Sequence, residues 1–281
     1  MRSRVWAALL LVGTPFSAAA QADGDWAAAA AGAIALRPPA MPQRPTASSS
    51  DQVLRAALLA RLKRNPVAAE FALPILEEND APSIVLRSEA EDASLRGAWA
   101  TYKRDSRTLV LNRDAIASDL GGTADAAALA ERYLPVFVHE LGGHARHYER
   151  LAKTLGAPAP NARETEIIAL RLEAMAVAVE RKTNPSYLRD DKEYAKTESS
   201  LVDKYWESKE KRDPALFSDF VSGVPGYKKI PFAAAGPVAD YYRGEEKTVM
   251  EADRRLIGDD PPADEAGLGR RETFGSGMRG R

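Results

Sequence analysis

The sequence predicts an α+β fold, mainly helical with a small antiparallel sheet, and three observations carry that expectation. Apolar residues recur at helical spacing from Gln52 to Lys63, at Val53, Leu54, Ala57, Leu58 and Leu62. The β-rich run Ser83 to Leu86 is followed by Gly97 to Tyr102 and Thr108 to Leu111, which bracket the polar turn Lys103 to Ser106 and read as a hairpin. From Asp125 to Lys182 the pattern is helical again, broken near Gly156-Ala157-Pro158-Ala159-Pro160. The order is therefore a few strands, a helix that carries every histidine, and a second long helix after it.

The ends differ from this body. Arg2 and Arg4 precede the apolar stretch Val5 to Val12 and the small residues Ser17 to Ala20, the order of a secretory signal peptide over residues 1–22. That run is shorter than the roughly 20 residues a membrane anchor needs, so a secreted or periplasmic chain with no membrane anchor after signal removal is expected. Residues 23–50, rich in alanine, proline and serine, read as a linker or a propeptide. Residues 51–258 read as one domain, and 259–281, with Pro261, Pro262 and repeated glycines, as a disordered tail. With no cysteine, stability has to come from the core. The 39 lysines and arginines nearly balance 40 aspartates and glutamates, so nucleic acid is not an expected partner.

Only three histidines occur in 281 residues, and His139, His144 and His147 fall within one short stretch. Imidazole is the commonest metal ligand, and a shared metal task explains the cluster. The familiar helical zinc motif is H-E-x-x-H, whose histidines share a face and whose glutamate activates zinc-bound water. Here the segment is His139-Glu140-Leu141-Gly142-Gly143-His144, with one residue more. On a regular α-helix the two imidazoles would diverge by about 140°, against about 40° for the shorter spacing. A π-bulge absorbs one extra residue and is enriched at functional sites. Gly142-Gly143 sits inside that turn, although glycine in a helix costs roughly 1 kcal/mol against alanine. The helix is expected to begin between Tyr133 and Val136, with Pro135 in its first turn, and to run to Leu155. Without a bulge, Glu140, His144 and His147 would share a face at i, i+4 and i+7, with Glu140 as a ligand.

Zinc needs a third protein ligand and an open position, and with no fourth histidine a carboxylate is implied. The next helix offers Glu164, Glu166, Glu173 and Glu180. Asn161 and Glu164 match an N-terminal capping pattern, which gives Glu164 a structural task. Glu166, Glu173 and Glu180 are spaced by seven and share a face. From Ile167 to Val179 only Arg171 and Glu173 are charged, so this helix should be buried, and a buried carboxylate requires a cation or donors. Glu166, in the first turn after the reversal, is the first choice and Glu173 the second. An Arg171 partner or a solvated stripe accounts for at least one of the three.

Strands, an H-E helix and a glutamate on the following helix together resemble the zincin metallopeptidases of the gluzincin arrangement. The letters His139 to His144 are similar to the H-E-x-x-x-H motif of the dipeptidyl peptidase III family. The likeness covers these six residues and the later glutamate. That family's E-E-x-x-x-E-like segment is not matched, because neither Glu164 nor Glu166 is followed by a glutamate four residues on. The resemblance implies a zinc ion (Zn2+) on His139 and His144, Glu140 as general base, and a peptide or protein substrate. Glu166 or Glu173 would complete the ligand set, the Gly97 to Tyr102 strand would pair with extended substrate, and Tyr148, His147 and Arg163 are candidates to steady an oxyanion. The competing expectation is a non-catalytic pseudo-peptidase or a metal-stabilised binding module of the cell envelope, which the inserted residue keeps open.

Overall fold

The computed structural model describes residues 49–120, 125–156, 161–188 and 192–258. The signal-peptide and tail readings, nearly all of the linker, and the Ala157 to Pro160 part of the helical break lie outside the described residues. The body begins with α1 (Ser49–Arg64), where the apolar periodicity begins in the sequence. Asn65 then caps α2 (Pro66–Phe71), its Oδ1 accepting from the Val67 and Ala68 amides at 3.1 and 3.0 Å. A one-turn helix α3 (Leu73–Glu77) leads into the sheet.

The sheet has three strands, β1 (Ser83–Arg87), β2 (Ala100–Lys103) and β3 (Thr108–Asn112), in the order β1-β3-β2. The expected hairpin forms: β2 and β3 are antiparallel, with Thr101 opposite Val110. The expectation of an antiparallel sheet is corrected, because β1 pairs with β3 in parallel, Val85 opposite Val110, and the sheet is mixed. The cause is burial. All five residues of β3 are buried, so this strand takes the centre and accepts a neighbour on each edge. β2 is left as an edge strand.

Helices α4 (Arg113–Asp119) and α5 (Ala126–Arg132) lead to the histidine segment. There α6 (Leu134–Phe137), a π-helical turn (Val138–Ala145) and α7 (Arg146–Leu155) follow one another through right-handed helical backbone at every junction. Pro135 lies in the first turn, and Gly156, at φ 65°, ends α7 by donating its amide to the Ala152 carbonyl. Next comes α8 (Arg163–Thr183), with every residue from Thr165 to Ala178 buried. It is the central rod, packed against the π turn, α2, α6 and the three helices that follow, α9 (Lys192–Glu210), α10 (Pro214–Gly223) and α11 (Pro237–Leu256). Among the described residues no helix is long and apolar enough to cross a membrane.

The glycine pair has a tertiary role that helix propensity does not express. A Cβ on Gly143 would lie 2.3 Å from Ala169 Cβ and 2.8 Å from Ala169 Cα, so the π turn and α8 touch backbone to backbone here. Gly142 is less constrained, with Phe71 Cβ at 3.3 Å and Leu172 Cδ1 at 3.5 Å from such an atom. Gly143→Ala should therefore push α8 away from the turn and lower stability by about 1–3 kcal/mol, the usual cost of overpacking. Gly142→Ala should cost less. Chemical denaturation of the two variants side by side checks this, and equal losses would refute the contact as the cause.

Candidate metal centre

An i→i+5 turn brings residues five apart onto one face, and the π turn does this for the two histidines. His139 Nε2 and His144 Nε2 stand 3.1 Å apart, with the rings inclined at 58°. From α8, Glu166 presents Oε2 at 3.5 Å from His144 Nε2 and 3.9 Å from His139 Nε2. A point equidistant from the corners of that triangle lies about 2 Å from each atom, the length of zinc bonds to imidazole and carboxylate. His139, Glu140 and His144 also offer ligand atoms within 4.8 Å of one another, so the cluster can hold a metal ion. The Glu166 oxygen lies within 3.9 Å of both imidazole nitrogens. One oxygen of Glu140, Oε2, also accepts the Tyr102 amide of β2 at 2.9 Å.

Glu173, the second expected ligand, stands behind the site. It is fully buried, and its Oε2 lies 3.0 Å from His139 Nδ1. That contact suits a proton on His139 Nδ1, which leaves the Nε2 lone pair on the side of His144 Nε2, 3.1 Å away, the way a carboxylate orients an imidazole ligand. Glu180, the third of the heptad series, has a structural partner set: Arg61 at 3.0 Å and the Asn65 amide at 2.8 Å. Arg171 is used apart from these glutamates, over the Phe217 ring and toward the Pro214 carbonyl. Glu164 is structural too, though not as a cap. The N-cap of α8 is Ala162, and the Glu164 carboxylate accepts the Ala233 amide at 3.0 and 3.1 Å.

His147 does not join the cluster. It is buried, with Nδ1 3.0 Å from the Tyr241 hydroxyl, and burial together with Arg146 holds its pKa well below the usual histidine range. The Glu140-His144-His147 arrangement of an unbulged helix is therefore not formed. Arg163 is also committed, donating to the Ile230 and Lys228 carbonyls, each at 2.9 Å. Of the residues considered for an oxyanion, Tyr148 alone lines the cleft with the cluster.

That cleft has a volume of about 190 Å³, and its outer wall is the β2 edge. Trp99 accepts the Asn112 amide at 2.8 Å, so Trp99, Thr101 and Lys103 turn their main-chain groups to β3. Those of Ala100 and Tyr102 face the free edge. The strand is fixed to the histidine-bearing helix by groups that sequence reading does not single out. Glu149 on α7 accepts the Tyr102 hydroxyl at 2.7 Å and binds Arg107 through two bonds, at 3.1 and 2.6 Å. Arg107 has φ 49°, uncommon for a residue with a side chain, and it also pairs with Asp80. Nothing in local pattern marks these residues, because each contact joins segments more than 25 positions apart.

The electrostatics of the cluster favour a bound cation. Burial alone would discharge His144, but the Glu166 carboxylate outweighs it and pushes the pKa up to about 9. Burial would likewise raise Glu166, and His144 followed by His139 holds it below the usual carboxylate range. His139 is lowered, by burial and then by His144. An ion on His144 Nε2 must therefore displace a proton that is held up to about pH 9, and affinity should fall as pH drops below that value. One displaced proton corresponds to about a tenfold loss per pH unit. Zinc titrations at pH 8 and pH 6 measure it, and equal affinities would exclude His144 as a ligand. Glu173→Gln should weaken binding by about 10–100-fold through its effect on His139, whereas Glu166→Gln should weaken it more. Equilibrium competition with a chelator ranks the two.

Comparison of the chain with family models, with curated proteins and with solved structures yields no match.

Proposed function

We propose that the chain is a zinc-dependent, zincin-like peptidase that acts outside the cytoplasm. The observation that carries this reading is the π turn, which sets His139 Nε2 and His144 Nε2 3.1 Å apart beside Glu166 and leaves Glu140 on the cleft. Two imidazole nitrogens and one carboxylate oxygen are a donor set suited to zinc, whereas calcium and magnesium favour oxygen ligands alone. When bound, zinc would acidify water and polarise a carbonyl.

The chain's own groups would do the rest. His139, His144 and Glu166 hold the ion, with Glu173 fixing the His139 ring. The Tyr102 amide anchors one oxygen of Glu140, so the carboxylate is steadied to take a proton from water and return it to the leaving amine. Tyr148 keeps its phenol protonated, because burial and the nearby Glu166 push its pKa up, and it therefore stands as an O–H donor on the cleft wall. An extended peptide would pair with the outward main-chain groups of Ala100 and the Tyr102 carbonyl. The Tyr102 amide is taken by Glu140 and does not contribute.

The reading requires one zinc per chain and hydrolysis that depends on Glu140. Glu140→Gln should retain zinc within about threefold of the parent affinity and lose at least about 100-fold in kcat, the scale of general-base catalysis. Metal analysis combined with turnover of an unstructured protein such as casein provides the check. Loss of zinc in Glu140→Gln would make Glu140 a ligand. Zinc retention by a parent chain that hydrolyses nothing would leave the metal-stabilised binding module.

A further inference from the structure

Beyond β2 and its flanks, the histidine-bearing helix and the residues at the start of α8, the cleft is lined by Tyr227 and Ile230. Both lie on a strap, residues 227–236, that opens with a 3-10 helical turn (Tyr227–Lys229) and runs to α11 without further helix or strand. The backbone groups of such a segment need partners outside a ladder, and here two adjacent residues of α8 supply them. Arg163 donates Nε to the Ile230 carbonyl, an Nη to the Lys228 carbonyl and its amide to the Pro231 carbonyl, each at 2.9 Å. Its Cζ lies 4.4 Å from the Phe232 ring centroid. Glu164 accepts the Ala233 amide at 3.0 and 3.1 Å. The N-cap residue of α8, Ala162, makes no side-chain capping bond, so the Pro231 carbonyl also satisfies one of the helix's leading amides.

These bonds decide what the strap can offer a ligand. The carbonyls of Lys228, Ile230 and Pro231 and the Ala233 amide are taken, which leaves chiefly side chains for recognition. β2 differs, because the main-chain groups of Ala100 face its free edge. Tyr227 and Ile230 share the cleft with Ala98, Trp99, Ala100 and Val136, and its volume of about 190 Å³ exceeds the roughly 150 Å³ in which an apolar cavity holds a benzene ring. One large apolar side chain therefore fits.

We propose that Tyr227 and Ile230 receive an apolar side chain of the peptide substrate, and that Arg163 and Glu164 are positioning residues that hold the strap for this contact. This inference rests on the peptidase reading of the same cleft and assigns its specificity. Arg163 and Glu164 act through the strap and do not take part in the chemistry.

Binding to the zinc-loaded Glu140→Gln chain, in which the peptide stays intact, tests the assignment by calorimetry. Acetyl-Ala-Leu-Ala amide should bind about tenfold more tightly than acetyl-Ala-Gln-Ala amide, the scale of burying most of one leucine side chain. Adding Ile230→Ala, Arg163→Ala or Glu164→Ala should cut that ratio to about threefold or less. Glu164→Gln should keep it, because the amide oxygen still accepts from Ala233. Lys228 and Lys229 are exposed, so trypsin cleavage after them reads the strap directly, and Arg163→Ala should speed it about tenfold. Zinc affinity should stay within about twofold of the parent in these variants, whereas a purely structural role at the start of α8 would disturb Glu166 as well. The proposal is overturned if the two peptides bind alike, if neither binds at millimolar concentration, or if the ratio survives any of the three alanine variants. It is also overturned if trypsin cuts the strap equally with and without Arg163, or if zinc affinity falls together with the ratio. Should Arg163→Ala fail to fold, Glu164→Ala and Ile230→Ala carry the same test. Glu140-dependent casein hydrolysis by the parent is independent of these outcomes, so the peptidase reading and the strap assignment can fail separately.

Discussion

The contact between Gly143 and Ala169 sets the distance on which the cluster of histidines and glutamates depends. A helix that carries ordinary side chains at its interface keeps its neighbour about 8–10 Å away, axis to axis. Here the backbone of the π turn meets α8 with no room for a Cβ on Gly143. Glu166 lies three residues before Ala169, one helical turn away, and Glu173 lies four residues after it, one turn in the other direction. The close approach therefore delivers two carboxylates to one pair of histidines: Glu166 toward the Nε2 atoms and Glu173 toward His139 Nδ1. The same turn that widens the helix to align His139 with His144 thus also admits α8.

A cluster of this kind makes the local electrostatics interdependent. His139, His144, Glu166 and Glu173 are all buried, and unpaired charges there would be costly. In the chain alone, the proton retained on His144 offsets the charge of Glu166. A divalent ion could take that place with shorter and stronger contacts. The arrangement is thus matched to a cation, and it is set against an apolar, continuous core of α8, the π turn and α2.

The second constraint is the attachment of the edge strand. β2 has β3 on one side and the cleft on the other. Its position relative to the histidines is held by two side-chain links of different kinds. Glu140 reaches from the π turn to the Tyr102 amide, and Glu149 reaches from α7 to the Tyr102 hydroxyl and Arg107. Because both carboxylates come from the helix that bears the histidines, the strand is tied to the same element as the cluster. A peptide bound along β2 would be carried at a fixed distance from Glu140.

The sequence by itself determined the local pieces: the hairpin from its two apolar runs about a polar turn, the helix ends from Pro135 and Gly156, the buried character of α8, and that His139 and His144 could share a face only through a widened turn. These were legible because each is set by residues a few positions apart, through periodicity, backbone preference or the angle per residue of a helix. What only the tertiary structure decided were the relations between pieces. Whether β1 would pair with β2 or β3, whether Glu166 or Glu173 would face the Nε2 atoms, and that Glu164 would hold the Ala233 amide all depend on how distant segments dock. So did the reason for Gly143, which the sequence presents as a helix-weakening residue and the fold uses to let two backbones meet. Spacing by seven told that Glu166, Glu173 and Glu180 share a face, but not which of them lies opposite the histidines, because sequence spacing fixes rotation about a helix axis and leaves its position along that axis to packing.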